Sequence, residues 1–311
     1  MQWGQIKTLF IICFLILNIF LVKQLIDRQD EEIRFIPVTT REDELKFNIN
    51  GLENLSDENY SAPLVHTQNY NYNLRAKEEI EALPDQQVVV VDNAYLYSRF
   101  NQPVAFDFGD PESDLETYVL NGDRYTYWGE LDLANVLVFF QEMEHPIFYN
   151  TNAILLIYLN SEGQMTQYTQ SQLRIVGSPD DGRSLIKQYD AIYRLYHHFK
   201  ELVTGDVVTD VALGYHNLVS LPNGEMILNP TWDIQVNHLD HHFVNAIDGH
   251  NYPQNDRFYE EKITELVTLL EPSNADNIVY YQLKDDPEDL LLKIRQMLLG
   301  VQQNIVEVDV E

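Results

Sequence analysis

An uncharged apolar run near the N-terminus constrains this chain more than any other feature. Residues 8–22, between Lys7 and Lys23, are 15 consecutive residues without a charge. As a helix this run is about 22 Å long, whereas the hydrocarbon core of a bilayer is about 30 Å thick. Apolar neighbours lengthen the run on both sides, and Trp3, Lys7 and Lys23 suit the two membrane interfaces. We therefore predict that residues 1–26 form a transmembrane anchor with these three residues as its interface anchors.

A cleaved signal peptide also has a basic start and an apolar core, but it needs small residues at a cleavage site. The segment Val22 to Arg28 reads VKQLIDR and contains no such site. The sequence therefore favours an uncleaved anchor. The basic residues on the two sides of the run do not set its orientation, but only six residues precede Lys7, and so short a tail is easily retained. We expect a single-pass protein of the cell membrane with a cytoplasmic N-terminus and an extracytoplasmic domain.

The charge balance excludes a nucleic-acid partner. The chain has 20 basic and 49 acidic residues in 311, a formal charge of -29. Two of the basic residues and none of the acidic ones precede residue 27, so the remainder carries -31 and repels phosphate. The only cysteine, Cys13, lies inside the apolar run. This excludes disulfides, cysteine-rich zinc sites and a cysteine nucleophile outside the anchor.

The remaining sequence predicts an α+β fold. A helix followed by an antiparallel hairpin occurs twice, and the hairpin loops contain Gly163 and Gly224, 61 residues apart. This spacing indicates two related subdomains, although a chance similarity of two hairpins explains it as well. The predicted segments are a transmembrane anchor (1–26), a juxtamembrane stalk (27–72), a first α+β subdomain (73–180), a second α+β subdomain (181–255) and a helical C-terminal extension (256–311).

Several elements follow from local pattern. Apolar residues at helical spacing predict a helix that begins at Asp132 and ends before Pro146. Similar spacing predicts a long helix from Arg183 to Val203, and residues 117–128 read as a strand with a turn at Asn121-Gly122. The tail, residues 305–311, is expected to be an edge strand or a solvated end.

Motifs of the commonest enzyme classes are missing from the sequence, which has no phosphate-binding loop, nucleophile elbow or His-Glu-x-x-His. One cluster, His238, Asp240 and His242, would present two imidazoles and a carboxylate to a metal if it lay on a single strand. The stretch from Asn237 to Asp240 also reads as a turn, which would separate these side chains. We predict no metal, no cofactor and no catalytic residue.

Asn18 is unusual because it places an amide inside a lipid-facing helix. Such an amide gains about 0.6 to 2 kcal/mol by bonding to another helix. The alternative is a tolerated polar residue near the outer interface.

The sequence resembles the YycI (WalI) family of regulators of the YycFG (WalRK) two-component system. The N-terminal block MQWGQIKTLF, continued by FLILNIFL, carries this resemblance, and further blocks follow in the expected order. These blocks are Pro146–Asn150, Tyr168–Gln170, Gly214-Tyr215, Asn229–Trp232 and Phe243–Gly249.

The resemblance implies a noncatalytic, single-pass protein. It implies association with a YycH (WalH)-like sister protein and, through transmembrane helices, with the sensor histidine kinase YycG (WalK), whose activity controls cell-wall metabolism. We predict Phe10, Phe14 and Asn18 as the contacts with partner helices. Residues after about 255 depart from the family pattern.

Two other functions stay open at the level of sequence. One is a membrane-anchored extracytoplasmic metal-dependent hydrolase that uses His238, Asp240 and His242. The other is a chaperone or inhibitor of exported peptidases.

Overall fold

Two antiparallel sheets organise the chain in the computed structural model, which describes residues 7, 10, 11, 13–23, 38–177, 181–221, 224–271 and 277–308. Helices cover the sheets, so the predicted α+β class is confirmed. The helices after the N-terminal segment are α1 (Val38–Asn48), α2 (Tyr72–Arg75), α3 (Lys77–Ala82), α4 (Pro111–Tyr118), α5 (Gln188–Arg194), α6 (Phe258–Leu269) and α7 (Pro287–Val308).

The strands in chain order are β1 (Ser61–Ala62), β2 (Val65–Asn69), β3 (Gln86–Val91), β4 (Tyr95–Ala105), β5 (Tyr125–Leu131), β6 (Val136–Gln141), β7 (Ile154–Leu159), β8 (Gln164–Ser171), β9 (Leu173–Ile175), β10 (Arg183–Ser184), β11 (Val208–Ser220), β12 (Glu225–Val236), β13 (Asp240–Asn245), β14 (Asn251–Tyr252) and β15 (Ile278–Tyr281). Sheet A has the order β15-β3-β4-β8-β7-β6-β5. Sheet B has the order β14-β13-β12-β2-β9, with β11 also paired to β12. Strands β1 and β10 form a separate short ladder.

Sheet A is buried on both faces. Along β6, Val136, Val138 and Phe140 belong to one apolar cluster, whereas Leu137 and Phe139 belong to the other. Helices α6 and α7 cover the first face, and α2, α3 and α4 cover the second. Sheet B packs its buried residues against α1 and α5.

Strand β6 corrects the helix predicted from Asp132 to Pro146. Only Asp132–Ala134 form a helical turn, of the 3-10 type, and Val136–Gln141 form a fully buried strand. A strand covered on both faces is a continuous apolar run, which periodicity alone does not separate from a buried helix.

Three further predictions need correction. Much of residues 117–128 is not a strand, because α4 extends to Tyr118 and β5 begins at Tyr125. The long helix predicted from Arg183 to Val203 is α5 followed by a π-helical turn that ends at Phe199. Residues 305–308 of the tail are the end of α7 rather than a strand.

Residues 38–72, predicted as part of a stalk, are folded into the body of the protein. Leu45 of α1 is fully buried against sheet B, and β2 lies between β12 and β9. These elements were not predicted from the sequence because it is mostly polar there, and only single apolar residues in them reach the core. The predicted helical extension likewise contributes β15 to the edge of sheet A, and its helices cover one face of that sheet.

The hairpin predictions are confirmed, since β7 pairs with β8 and β11 with β12. Gly163 and Gly224 have φ of 74° and 80°, the left-handed conformation that such loops require. The two hairpins lie in different sheets. The relatedness of two subdomains stays a prediction.

Residues 13–23 of the N-terminal segment are helical. Within the residues that the structure describes, no helix is both long and apolar enough to cross a membrane.

Candidate functional site

The predicted contact residues lie on an exposed helix face. Phe10 and Phe14 are 76% and 62% exposed, and Asn18 is exposed as well. A spacing of four residues places the three side chains on one side of a helix. Lys7 and Lys23 are exposed, whereas Trp3 lies outside the described residues. The roles of these six residues as partner contacts and interface anchors stay predictions.

Asn18 bonds within its own helix. Its Nδ2 donates a hydrogen bond to the Phe14 carbonyl oxygen, 2.9 Å away. An asparagine amide has two donor hydrogens and one acceptor oxygen. This bond uses one hydrogen. The spacing of four residues places the amide and the Phe14 ring on the same side of the helix, where an approaching helix would meet both.

A second candidate site is a buried junction between the sheets, where the segment after β6 contacts β11. The Phe148 N–H donates to the Tyr215 carbonyl oxygen at 2.8 Å, and the Tyr215 N–H donates to the Pro146 carbonyl oxygen at 2.8 Å. Tyr215 lies opposite Pro230 of β12, whose carbonyl oxygen accepts from the Ala246 N–H on the other side of β12, so the two residues form a pair without hydrogen bonds to each other and the backbone groups of Tyr215 face the segment after β6. We call this junction the seam.

Gly214 permits the close approach of the two segments at the seam. A Cβ atom at this position would lie 2.1 Å from Phe148 Cε2, well inside van der Waals contact. The Phe148 ring is buried and packs against Phe243 of β13, with 5.0 Å between ring centroids. The Phe148 ring therefore occupies the space that a side chain at position 214 would need.

Aromatic rings from both sheets line the seam. Tyr149 has its ring 5.3 Å from that of Phe243 and 5.2 Å from that of Phe258, and its φ of 46° turns the chain there. Trp128 of β5 lies 4.6 Å from the His241 ring. These contacts join β5, β13 and α6 through one cluster. Because the cluster is close-packed, a displacement of one sheet would shift the packing of the other.

His241 and Asp233 form the main polar contact at the seam. His241 Nδ1 lies 2.8 and 3.0 Å from the two carboxylate oxygens of Asp233, and its Nε2 lies 3.4 Å from Gln235 Nε2. Burial raises the pKa of Asp233, and the bond to His241 opposes this shift. Among the described residues, no hydroxyl or thiol is a hydrogen-bond partner of His241, and a nucleophile-base pair would need one. We interpret the contact as structural.

A second histidine, His216 of β11, stacks on Tyr252 with 4.2 Å between the rings and an angle of 10°. The Tyr252 hydroxyl donates to Asn229 Oδ1 at 2.9 Å. Burial lowers the pKa of His216, because a charged imidazole would lose its hydration there. The histidine is therefore favoured in its neutral form.

The histidine cluster predicted as a possible metal site is divided by a turn. Asn237 and His238 have φ of 54° and 63°, and β13 begins only at Asp240. Burial lowers the pKa of His242. Across the described ranges, no group of three or more His, Cys, Asp or Glu side chains is placed to hold a metal ion.

Sequence reasoning did not predict the seam as a site. Its residues are far apart in the chain, and neither periodicity nor spacing relates them. One signal was present, since four of the blocks that carry the family resemblance contribute residues to this junction or to the strands beside it. These blocks are Pro146–Asn150, Gly214-Tyr215, Asn229–Trp232 and Phe243–Gly249.

The family of YycI proteins matches residues 38–247. The chain belongs to the YycI family. The match covers about two thirds of the chain and includes the whole of sheet B up to β13 together with the seam. The YycI family is a regulatory, noncatalytic family associated with the YycFG two-component system. The match over residues 38–247 confirms the family resemblance inferred from the sequence.

No curated protein matches the chain. Among solved structures, the chain is similar to an uncharacterized protein from Eubacterium rectale ATCC 33656, solved by crystallography at 1.45 Å. The identity is 11% and the TM-score 0.41, over 67% of this chain and 89% of that chain.

Proposed function

We propose that this chain is a noncatalytic, membrane-anchored regulator of a YycG (WalK)-like sensor histidine kinase that acts together with a YycH-like partner. In this proposal residues 1–26 cross the cell membrane once, the N-terminus is cytoplasmic and the two sheets are extracytoplasmic. Membership of the YycI family supports the regulatory part of the proposal. The uncharged run between Lys7 and Lys23 supports the anchoring part.

The observation that carries the mechanism is that Phe10, Phe14 and Asn18 share one side of a helix whose described residues are all exposed. Large side chains on one helix side, next to an amide, are suited to packing and hydrogen bonding between helices in lipid. The chain acts on the kinase by binding one of its two helix arrangements better than the other. A preference of about 1.4 kcal/mol changes the ratio of the two arrangements tenfold, and a few helix contacts supply that much.

A matched pair of double variants tests these contacts. Phe14→Leu with Asn18→Leu removes the ring and the amide and keeps the segment apolar enough for the membrane. Ile16→Leu with Phe20→Leu is the control, because these residues lie on other sides of the same helix. We expect the first pair to reduce co-purification of the kinase from native membranes about tenfold and the control to leave it unchanged. Equal recovery of the kinase with both pairs would reject this assignment of contacts.

The proposed topology has its own test. Protease added to cells without their wall should degrade the two-sheet domain and leave the N-terminal segment in the membrane fraction. Complete protection of the domain would contradict an extracytoplasmic location. Recovery of the active protein free in the medium would contradict anchoring.

A further inference from the structure

Three adjoining segments at one end of sheet B expose large apolar side chains. Phe47 of α1 is 88% exposed, Val203 is 63% exposed and Leu239 is 81% exposed. Exposed apolar residues are ordinary when they occur singly. Here they lie on segments that are bonded to one another, and we call Phe47, Val203 and Leu239 the apolar tip.

Backbone hydrogen bonds hold the apolar tip together. The Gly205 N–H donates to the Asn48 carbonyl oxygen at 2.8 Å, which joins the loop before β11 to the end of α1. The Asn237 N–H donates to the Val207 carbonyl oxygen, also at 2.8 Å, which joins that loop to the turn between β12 and β13. The end of α1 is fixed in turn by Leu45, which is fully buried. The backbone segments that carry the three side chains are therefore held in fixed positions relative to one another.

The course of the chain indicates what covers the apolar tip. Helix α1 carries Phe47 and is the first described element after the N-terminal helix, whose described part ends at Lys23. Fourteen residues, 24–37, connect them and reach at most about 50 Å when fully extended. If the N-terminal helix is anchored in a bilayer, this connection keeps α1 within reach of that bilayer, and Phe47 lies about 14 Å along α1 from Val38, where the connection joins it. Apolar side chains on a surface held against lipid gain by entering the interfacial layer.

We propose that the apolar tip is a lipid-contact surface, and that Phe47, Val203 and Leu239 enter the outer interface of the bilayer. This inference rests on the anchoring in the proposed function. Contact with lipid would fix the orientation of sheet B relative to the membrane. It would thereby limit which faces of the domain reach other membrane proteins.

The charges around the apolar tip indicate the kind of lipid contact. Lys46 and Lys200 are exposed beside it and can place their ammonium groups among phosphates. Asp206 uses its carboxylate within the protein, where Oδ2 accepts from the Val203 N–H at 2.8 Å and Oδ1 from Asn237 Nδ2 at 3.0 Å. Glu44 and Asp240 are exposed nearby and oppose attraction to anionic lipids. The contact is therefore apolar, and we expect it in neutral lipid and at high salt.

Depth-dependent quenching in reconstituted full-length protein tests the proposal. Cys13→Ser provides a background without cysteine, into which a single cysteine with an environment-sensitive fluorophore is placed by Leu239→Cys or Phe47→Cys. The matched control is Leu74→Cys on α2 beside sheet A, where the side chain is 76% exposed. A fourth probe, Ile16→Cys, reports on the N-terminal helix. The vesicles are phosphatidylcholine with and without brominated acyl chains.

We expect brominated lipid to quench the probes at positions 239 and 47 at least twofold more than the probe at position 74, with little change at high salt. Equal quenching at all three positions, with strong quenching at position 16, would overturn the lipid contact and leave the anchoring in place. Quenching at position 239 without quenching at position 16 would support the lipid contact and overturn the anchoring. A probe at position 239 that responds only to an added YycH-like protein would overturn the proposal in favour of protein docking.

Discussion

At the scale of single residues, Gly214 is a position that has no room for an added atom. A Cβ atom there would meet the Phe148 ring at 2.1 Å, and the ring is buried among other aromatic groups. Overpacking of this kind costs about 1–3 kcal/mol. We expect Gly214→Ala to lower the free energy of unfolding in urea by about 2 kcal/mol.

Phe148→Leu separates this effect from a change in backbone freedom. If the clash is the cause, Gly214→Ala should cost less in the Phe148→Leu background than in the native one, because the ring that it meets is gone. A double-mutant cycle measures this difference directly. Strictly additive effects of the two substitutions would show that contact with Phe148 is not what requires glycine.

Lys262 of α6 is the other residue with a specific dependence on its neighbours. Its ammonium group is buried, donates to the Thr151 carbonyl oxygen at 2.5 Å and lies 3.1 Å from Glu265 Oε2. The Tyr95 hydroxyl donates to the other oxygen of Glu265 at 2.8 Å. Burial lowers the pKa of Lys262, and Glu265 opposes this shift. The carboxylate therefore compensates a charge that has lost most of its hydration.

Glu265→Gln retains the shape of the side chain but removes its charge. We expect a loss of about 2 kcal/mol in the free energy of unfolding at pH 7, because the buried ammonium group loses its counter-charge. The loss should shrink as the pH rises toward 10, since Lys262 then becomes neutral in the folded protein before it does so in the unfolded chain. Glu260→Gln is the matched control, because Glu260 also pairs with a basic side chain three residues away, Arg257, at the surface. A similar loss in both variants would contradict this account of Lys262.

At the scale of elements, α7 combines a strictly buried side with an exposed one. Leu290, Ile294 and Leu298 are fully buried against sheet A, whereas Leu292 is 52% exposed. Truncation of a buried isoleucine or leucine to alanine removes about 2–5 kcal/mol. We expect Ile294→Ala to lower the urea midpoint clearly and Leu292→Ala to leave it nearly unchanged. A small effect of Ile294→Ala would show that the helix is not part of the folded core.

The elements that were predicted correctly are those specified by residues close together in the chain, such as loop glycines and the first residues of a helix. The hairpins β7–β8 and β11–β12 have a glycine in each loop, and α7 begins with Pro287 and two acidic residues. Strand β6 was missed because both its faces are buried by residues distant in the chain. The same reason explains β2, which is a strand only because β12 and β9 lie beside it. The seam was missed as well, since Phe148, Gly214 and Phe243 meet only in the folded chain.

At the scale of the whole molecule, the two sheets are joined by more than one connection. Strand β9 follows β8 of sheet A directly in the chain but pairs with β2 of sheet B. The segment that ends at Phe148 leaves sheet A and bonds to β11. Helix α1 packs on sheet B, so a force applied through the N-terminal segment reaches sheet B first and sheet A through β9 and the seam. The domain is therefore suited to respond as one body to a force on the N-terminal segment.

The stability of the whole molecule should decrease on mild acidification. Burial lowers the pKa of both His216 and His242 below the ordinary value of 6.5. Below pH 6.5 the unfolded chain therefore binds protons that the folded protein resists, and stability falls with pH until each folded pKa is reached. Each such group changes the free energy of unfolding by at most about 1.4 kcal/mol per pH unit. The raised pKa of Asp233 acts in the opposite direction, over a window that extends upward from its ordinary value of 3.8.

We expect the urea midpoint of the full-length protein to be lower at pH 5.5 than at pH 7.5. His216→Gln should reduce this difference, because glutamine does not titrate, whatever its effect on stability at either pH. His238→Gln is the control, since His238 is exposed in the turn before β13. If His216→Gln and His238→Gln show the same decrease between the two pH values as the native chain, the stacked imidazole on Tyr252 is not a source of the pH dependence. The decrease in the urea midpoint on acidification would then come from His242 or from titratable groups far from the seam.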